Sequence, residues 1–245
     1  MSSTTPTPPP SSLTERRKTE TRMEIARAAA GLFVRHGLRA TRAEDIAQAA
    51  GIAPRTFYRY FATKEEAVAP LYAAGAQRWV EAVRAAPADA EVLHALEQGV
   101  RHTLTGVGVS ASSWQWVRTL LRLAEATPSL RRVWAEVCQA SERLLAEVLA
   151  ERVTRAGAPE NLGVSTVPDS DDNVAEGPAP TSAAPPSPPF AATPELRFSA
   201  AVASAAVRAA LEAWAAGDGP VEGPDGPAEL ALRNLAALRD FPWGR

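Results

Sequence analysis

From Ala67 to Arg155 the apolar positions recur every three or four residues, and the period breaks only where glycine, proline or a polar cap interrupts it. That spacing lines one face of an α-helix, and no stretch alternates as a half-buried strand would. Val68, Leu71, Tyr72, Trp79, Val80 and Val83 predict one long helix to about Pro87. Val92, Leu93, Leu96, Val100 and Leu104 predict a second, broken at Gly106-Val107-Gly108, and Trp114 to Ala126 a third. Thr127-Pro128 opens a fourth, with Leu130, Val133, Trp134, Val137, Cys138 and Leu145 on its stripe. Thr193-Pro194-Glu195 begins a further helix and about Pro227 to Arg239 forms the last. The expected fold class is all-α.

Ahead of this body, Thr41 to Val68 reads TRAEDIAQAAGIAPRTFYRYFATKEEAV. Thr41 and Glu44 have capping-box spacing, so a helix is expected from about Arg42, with Ile46, Ala47 and Ala50 inward. Gly51 supplies a residue that ends a helix in the left-handed region, and Pro54 suits the first position of the next. On that second helix Phe57 and Phe61 lie four apart and face inward together, while Arg55, Thr56, Tyr58, Arg59 and Tyr60 take the other sides. A second box, Thr63 to Glu66, starts the long helix almost at once. Two helices joined by a short turn containing Gly are the helix-turn-helix unit, whose second helix enters the DNA major groove. The pattern also fits core aromatics under a solvated charged face.

Charge separates the two parts. Residues 1–64 hold eleven Lys and Arg against five Asp and Glu, a net of +6; the whole chain is −2, so residues 65–245 carry −8. A basic head on an acidic body is what phosphate neutralisation by the head alone requires. Arginine outnumbers lysine 24 to 2, however, so part of the Arg content reflects compositional bias. Three histidines, one cysteine and no glycine-rich phosphate loop after a strand leave neither a nucleophile–base pair nor a metal cluster, so catalytic and metal residues and cofactors are each expected to be none. The lone Cys138 fits a reducing cytoplasm and a buried small hydrophobe, and no run approaches the roughly 18 apolar residues of a membrane span. Residues 1–12 are Ser/Thr/Pro-rich; a disordered tail is expected over 1–16, and the basic TERRKTETR that follows residue 13 is either a minor-groove arm or a solvated helix start.

Residues 17–68 resemble the N-terminal domain of the TetR/AcrR family of transcriptional regulators. The first helix, Arg22 to Gly37, offers Ile25, Ala29, Leu32 and Phe33 as a stripe; then come Ala47, the turn Gly51, the Thr56-to-Phe61 aromatic run and Lys64, all in the family pattern. Ala53 departs from it, where Ser is usual as a cap, at a cost of about 1 kcal/mol partly offset by Pro54. The resemblance implies a three-helix DNA-binding domain over 17–64 and a helical effector-binding and dimerisation domain over 65–245. It implies Arg55, Thr56 and Arg59 at base edges, Tyr58 and Tyr60 at phosphates, and Lys64, Thr41 and Arg42 as phosphate contacts near helix starts. It further implies a homodimer on a palindromic double-stranded operator, a small-molecule effector and repression relieved on binding. Alternatives are an activator of the same architecture and a helical interaction protein that binds no DNA.

Within the body, residues 156–192 are rich in Pro, Ser, Ala and acid, and are expected to be a disordered insertion between two helices. The Ala201, Ser204, Ala205 and Ala209 surface permits close helix approach and suits the family's dimer bundle. Trp114, Trp116 and Trp134 with Leu120, Leu123 and Val137 are candidates to line an apolar cavity, anchored by Arg118, Arg122, Arg131, His94 and His102. Arg118 to Arg152 is similar to C-terminal domains of the family that take acyl-CoA-like ligands, so an apolar anionic effector is expected.

Overall fold

The computed structural model describes residues 13–105, 111–157 and 191–243. Among the described residues nine α-helices follow in order: α1 Leu13–His36, α2 Ala43–Ala49, α3 Pro54–Tyr60, α4 Ala69–Ala85, α5 Val92–Leu104, α6 Ala111–Ala126, α7 Pro128–Gly157, α8 Pro194–Ala216 and α9 Pro227–Ala236, with a 3-10 turn Glu66–Val68 before α4. Among the described residues there is no strand, as expected of an all-α chain. No described helix is long and apolar enough to cross a membrane.

Three expected boundaries change. The long helix expected from the Thr63 box begins only at Ala69, after the 3-10 turn Glu66–Val68. α1 begins at Leu13, so residues 13–16 belong to the helix and not to the tail, and the basic segment after Leu13 is its first turns. The cap of α2 is Arg42 and not Thr41: the Arg42 N–H donates to Asp45 Oδ2 at 2.8 Å. The expected insertion at 156–192 lies, but for its two ends, outside the described residues, as does the break at Gly106 to Gly108. Its flanking helices end and begin where the periodicity placed them, and Thr193 accepts from Leu196 N–H at the start of α8.

The head is α1 to α3. Ile25, Ala29 and Phe33 of α1, Ile46 and Ala47 of α2, and Phe57 and Phe61 at α3 are all buried together with Val68. Gly37 and Gly51 take φ of +79° and +67°, the left-handed turns that end α1 and α2 without a Cβ penalty. α4 leads out of the head and packs on α5 and α7, while α8 packs on α7 and α9. Gly99 makes the α4–α5 crossing possible, since a Cβ there would lie 2.9 Å from Val83 Cγ2 and 3.0 Å from Trp79 Cδ1. At the far end of α4, buried Arg152 of α7 donates to the carbonyls of Val83, Ala86, Pro87 and Ala90 at 2.8–3.2 Å, which fixes the α4–α5 turn.

Candidate nucleic-acid interface and effector cavity

α3 is an amphipathic helix of nearly two turns whose orientation is set by two rings. Phe57 is fully buried and Phe61 nearly so, with ring centroids 5.8 Å apart, and this turns the opposite side outward. Arg55, Tyr58 and Arg59 are exposed there, with Thr56 and Tyr60 half-buried beside them. Tyr58 is 53% exposed, so it is not a core aromatic. Its hydroxyl lies 3.4 Å from Glu44 of α2, and Arg59 covers the Tyr60 ring at 5.5 Å. Arg22 ties α1 to the end of this helix, donating to the Tyr60 carbonyl at 3.1 Å and lying over the Phe61 ring at 4.7 Å.

The expected flanking contacts divide. Arg42 is exposed at the start of α2. Thr41 faces the other way: it is 2% exposed and its hydroxyl donates to the Gly37 carbonyl at 2.9 Å, so its side chain closes the α1–α2 loop and does not reach a phosphate. Lys64 is half-buried, and its Nζ donates to the carbonyls of Leu38 at 2.7 Å and Thr41 at 2.8 Å, two bonds of the three it can make.

Between the head and the far helices lies a cavity of about 690 Å³. Trp114 and Trp134 line it as expected, with Trp116, Leu120 and Val137, whereas Leu123 does not. The expected arginine anchors are elsewhere. Arg118 is buried on the Trp214 ring at 4.1 Å and donates to the Gly219 carbonyl; Arg122 donates to Ala215 O at 2.6 Å, Gly217 O at 2.8 Å and Asp218 Oδ1 at 2.7 Å. Both clamp the segment between α8 and α9, and the Arg122 guanidinium holds the Asp218 carboxyl below its usual range. Arg131 pairs with Glu125 at 3.0 Å, and His94 bonds Gln98 at 2.8 Å, so neither faces the cavity, nor does exposed His102. Basic residues at the cavity come instead from Arg27 of α1, Arg78 of α4 and Arg208 of α8. No local sequence pattern singles these out, because cavity position depends on how six helices cross. Cys138 forms part of the wall, and burial pushes its thiol up to about 12.

Residues 25–69 match the bacterial regulatory proteins of the TetR family. The chain is 32% identical over 156 residues to the HTH-type transcriptional regulator TcmR of Streptomyces glaucescens, covering 61% of this chain and 68% of that protein. The chain belongs to the TetR family. It is therefore a DNA-binding transcriptional regulator and not an enzyme, and helices α2 and α3 are its helix-turn-helix. Among solved structures, the TetR-family repressor FadR of Thermus thermophilus is similar in fold, with a TM-score of 0.51 at 22% identity over 91% of this chain and 96% of that one. A TetR-family regulator from Mesorhizobium loti matches at a TM-score of 0.48 and 17% identity, covering 90% and 96%.

Proposed function

We propose that this TetR-family regulator is a homodimeric repressor that reads a palindromic operator through α3 and is released when an apolar, anionic small molecule enters the cavity. The observation that carries the DNA half is the outward set of Arg55, Tyr58 and Arg59 opposite the buried Phe57 and Phe61. Arg55, Thr56 and Arg59 address base edges, where a guanidinium pairs with O6 and N7 of one guanine. Tyr58, Tyr60 and Arg42 hold phosphates, and Lys64 offers its remaining donor to another. One head spans only a short half-site, so two heads related by a two-fold are needed for affinity. The outer side of α8, with Ala201, Val202, Ala205 and Ala209 and the 62% exposed Phe198, is small and apolar and supports that pairing.

The cavity supports the effector half. Its walls include Met23 and Arg27 of α1, which belongs to the head, and Leu71, Tyr72 and Gly75 of α4. An occupant touching both helices favours one spacing of the two heads over another, and a coupling of about 1–3 kcal/mol lowers operator affinity roughly 5–150-fold. FadR of T. thermophilus is described in complex with lauroyl-CoA. An acyl-CoA-like effector lost its expected anchors here when Arg118 and Arg122 proved to hold the α8–α9 segment.

The test is selection of a randomised duplex pool on the full-length protein, followed by sequencing, with mass measured by light scattering. A palindrome with half-sites about one helical turn apart and a two-chain mass are expected. Failure to enrich a palindrome even at low salt, or a persistent single subunit at high concentration, rejects the proposal. Arg59→Ala is expected to cost on the order of 1–3 kcal/mol and relax specificity at one position.

A further inference from the structure

We infer that Glu44, in the first turn of α2, is a specificity-determining residue that accepts a hydrogen bond from the amino group of one cytosine in each operator half-site. This rests on α3 reading the operator, as proposed above. Two acids open α2, and they have different surroundings. Asp45 is occupied by the cap, where its Oδ2 accepts from the Arg42 N–H at 2.8 Å. Glu44 is exposed, and its carboxylate lies 3.4 Å from the Tyr58 hydroxyl of α3. That is well beyond the roughly 2.7–2.8 Å of a strong O–H to O bond, so the contact places Glu44 beside α3 without consuming it. Among the described residues no Lys or Arg pairs with it, although Arg42 stands two residues earlier and Arg55 and Arg59 are exposed on the neighbouring helix.

An unpaired carboxylate on a surface that approaches a polyanion meets one of two surroundings. Against a phosphate it repels and affinity falls. In the major groove it meets base edges, and there its chemistry selects. An ionised carboxylate only accepts, through two oxygens. Guanine presents O6 and N7 and thymine O4, all acceptors, and adenine sets its amino donor beside the N7 acceptor; cytosine presents its N4 amino donor with no acceptor beside it on its own edge. The Tyr58 contact favours the groove, because it holds the carboxylate on the side of α2 that faces the recognition helix.

The same acid discriminates twice. It adds a bond at the right base, and its negative charge penalises contact with phosphates wherever that base is missing. Tyr58 keeps its own role. It has one O–H to give, so when the carboxylate turns to cytosine the hydroxyl is released to a phosphate.

Full-length wild type, Glu44→Ala, Glu44→Gln and Tyr58→Phe are each put through selection from a randomised duplex pool, and the enriched sites are titrated by fluorescence anisotropy. The wild type is expected to enrich a cytosine at one position of each half-site, and to lose about tenfold in affinity when that base pair is replaced in one half-site. Glu44→Ala is expected to accept any base there to within about twofold, and to bind random duplex about threefold more tightly because one negative charge per subunit is gone. Glu44→Gln is expected to move the preference to adenine, whose N6 and N7 suit an amide. Tyr58→Phe is expected to weaken all sites alike and keep the cytosine. A motif with the same bases in the wild type and both Glu44 variants overturns the inference. So does a cytosine preference that disappears equally in Tyr58→Phe, which makes Glu44 a support for the tyrosine and not a reader of the base. A wild type that enriches no palindrome rejects the operator reading and this inference with it, whereas a palindrome that both Glu44 variants leave untouched rejects this inference alone.

Discussion

Lys64 performs two tasks at once, and one substitution separates them. Its ammonium donates to Leu38 O at 2.7 Å and Thr41 O at 2.8 Å, stapling the loop between α1 and α2 to the entry of α4. Lys64→Met keeps the stem and removes all three donors. A bond to a charged group contributes about 1.5–3 kcal/mol, but Lys64 is only half-buried and water can reach the freed carbonyls, so the pair is expected to cost about 2–3 kcal/mol of stability. If the third donor meets a phosphate, the same change also removes one released counterion per subunit. The slope of log affinity against log salt then becomes shallower by about 0.9 per subunit. Denaturant unfolding at fixed protein concentration and operator titration at four salt concentrations measure both. An unmoved unfolding midpoint would show that the staple carries no energy. A lower midpoint with an unchanged salt slope would confine Lys64 to the loop and remove it from the DNA contacts.

Arg152→Met removes four carbonyl contacts from a buried site and is expected to cost about 2–4 kcal/mol in denaturant unfolding, where a change under about 0.5 kcal/mol would count against the turn-fixing role. Alanine at two helical glycines is expected to act with opposite sign. At Gly75 nothing lies within 4 Å of the new methyl, so helix propensity raises stability by up to about 1 kcal/mol. At Gly99 the contacts at 2.9 and 3.0 Å outweigh that gain, and thermal melting is expected to fall by the equivalent of about 1 kcal/mol. Burial raises both the Tyr72 phenol and the Cys138 thiol, the latter to about 12. Below about pH 8.5 folded and unfolded chains keep these protons alike; above it the unfolded chain releases them and the folded chain does not, so stability falls as pH rises toward 12. A melting temperature that stays flat from pH 9 to 11, or the same alkaline loss in Cys138→Ala and Tyr72→Phe, would contradict this.

The helices were legible because each carries its own signal: the Thr193 cap, the Pro54 and Pro194 starts, and the Gly37 and Gly51 stops all act within one turn of the helix end they mark. The inward Phe57 and Phe61 and outward Arg55 and Arg59 were legible for the same reason, since one short helix decides both. Thr41 was misread because the capping residue is Arg42, whose N–H donates to Asp45, while the threonine hydroxyl, one residue earlier, donates to the Gly37 carbonyl. The cavity arginines were misassigned because periodicity gives a face and not a partner. Arg118 and Arg122 do leave α6 on one side, but what awaits them is a run of carbonyls from Ala215 to Gly219, nearly a hundred residues away. Arg27, Arg78 and Arg208 become neighbours of one cavity only when three helices cross, which spacing along any one of them does not encode.

If the cavity holds the effector proposed above, that crossing gives its occupant a route to α3. α1 buries Ile25, Ala29 and Phe33 in the head while Met23 and Arg27 face the cavity, so one rigid helix belongs to both. Gly31 lets α6 come close: a Cβ there would stand 3.3 Å from Trp116 Cη2, and Trp116 itself lines the cavity. From α1, Arg22 reaches the Tyr60 carbonyl and the Phe61 ring at the end of the recognition helix. Close-packed interiors shift between discrete arrangements and do not deform smoothly. A molecule that moves Met23 or Trp116 by a fraction of their width therefore shifts α1 as a unit, and α3 with it. On the proposed mechanism the route through α1 runs beside one through α4, so substitutions that loosen Arg22 from Tyr60 are expected to weaken the loss of operator affinity on effector binding before they weaken the effector's own binding.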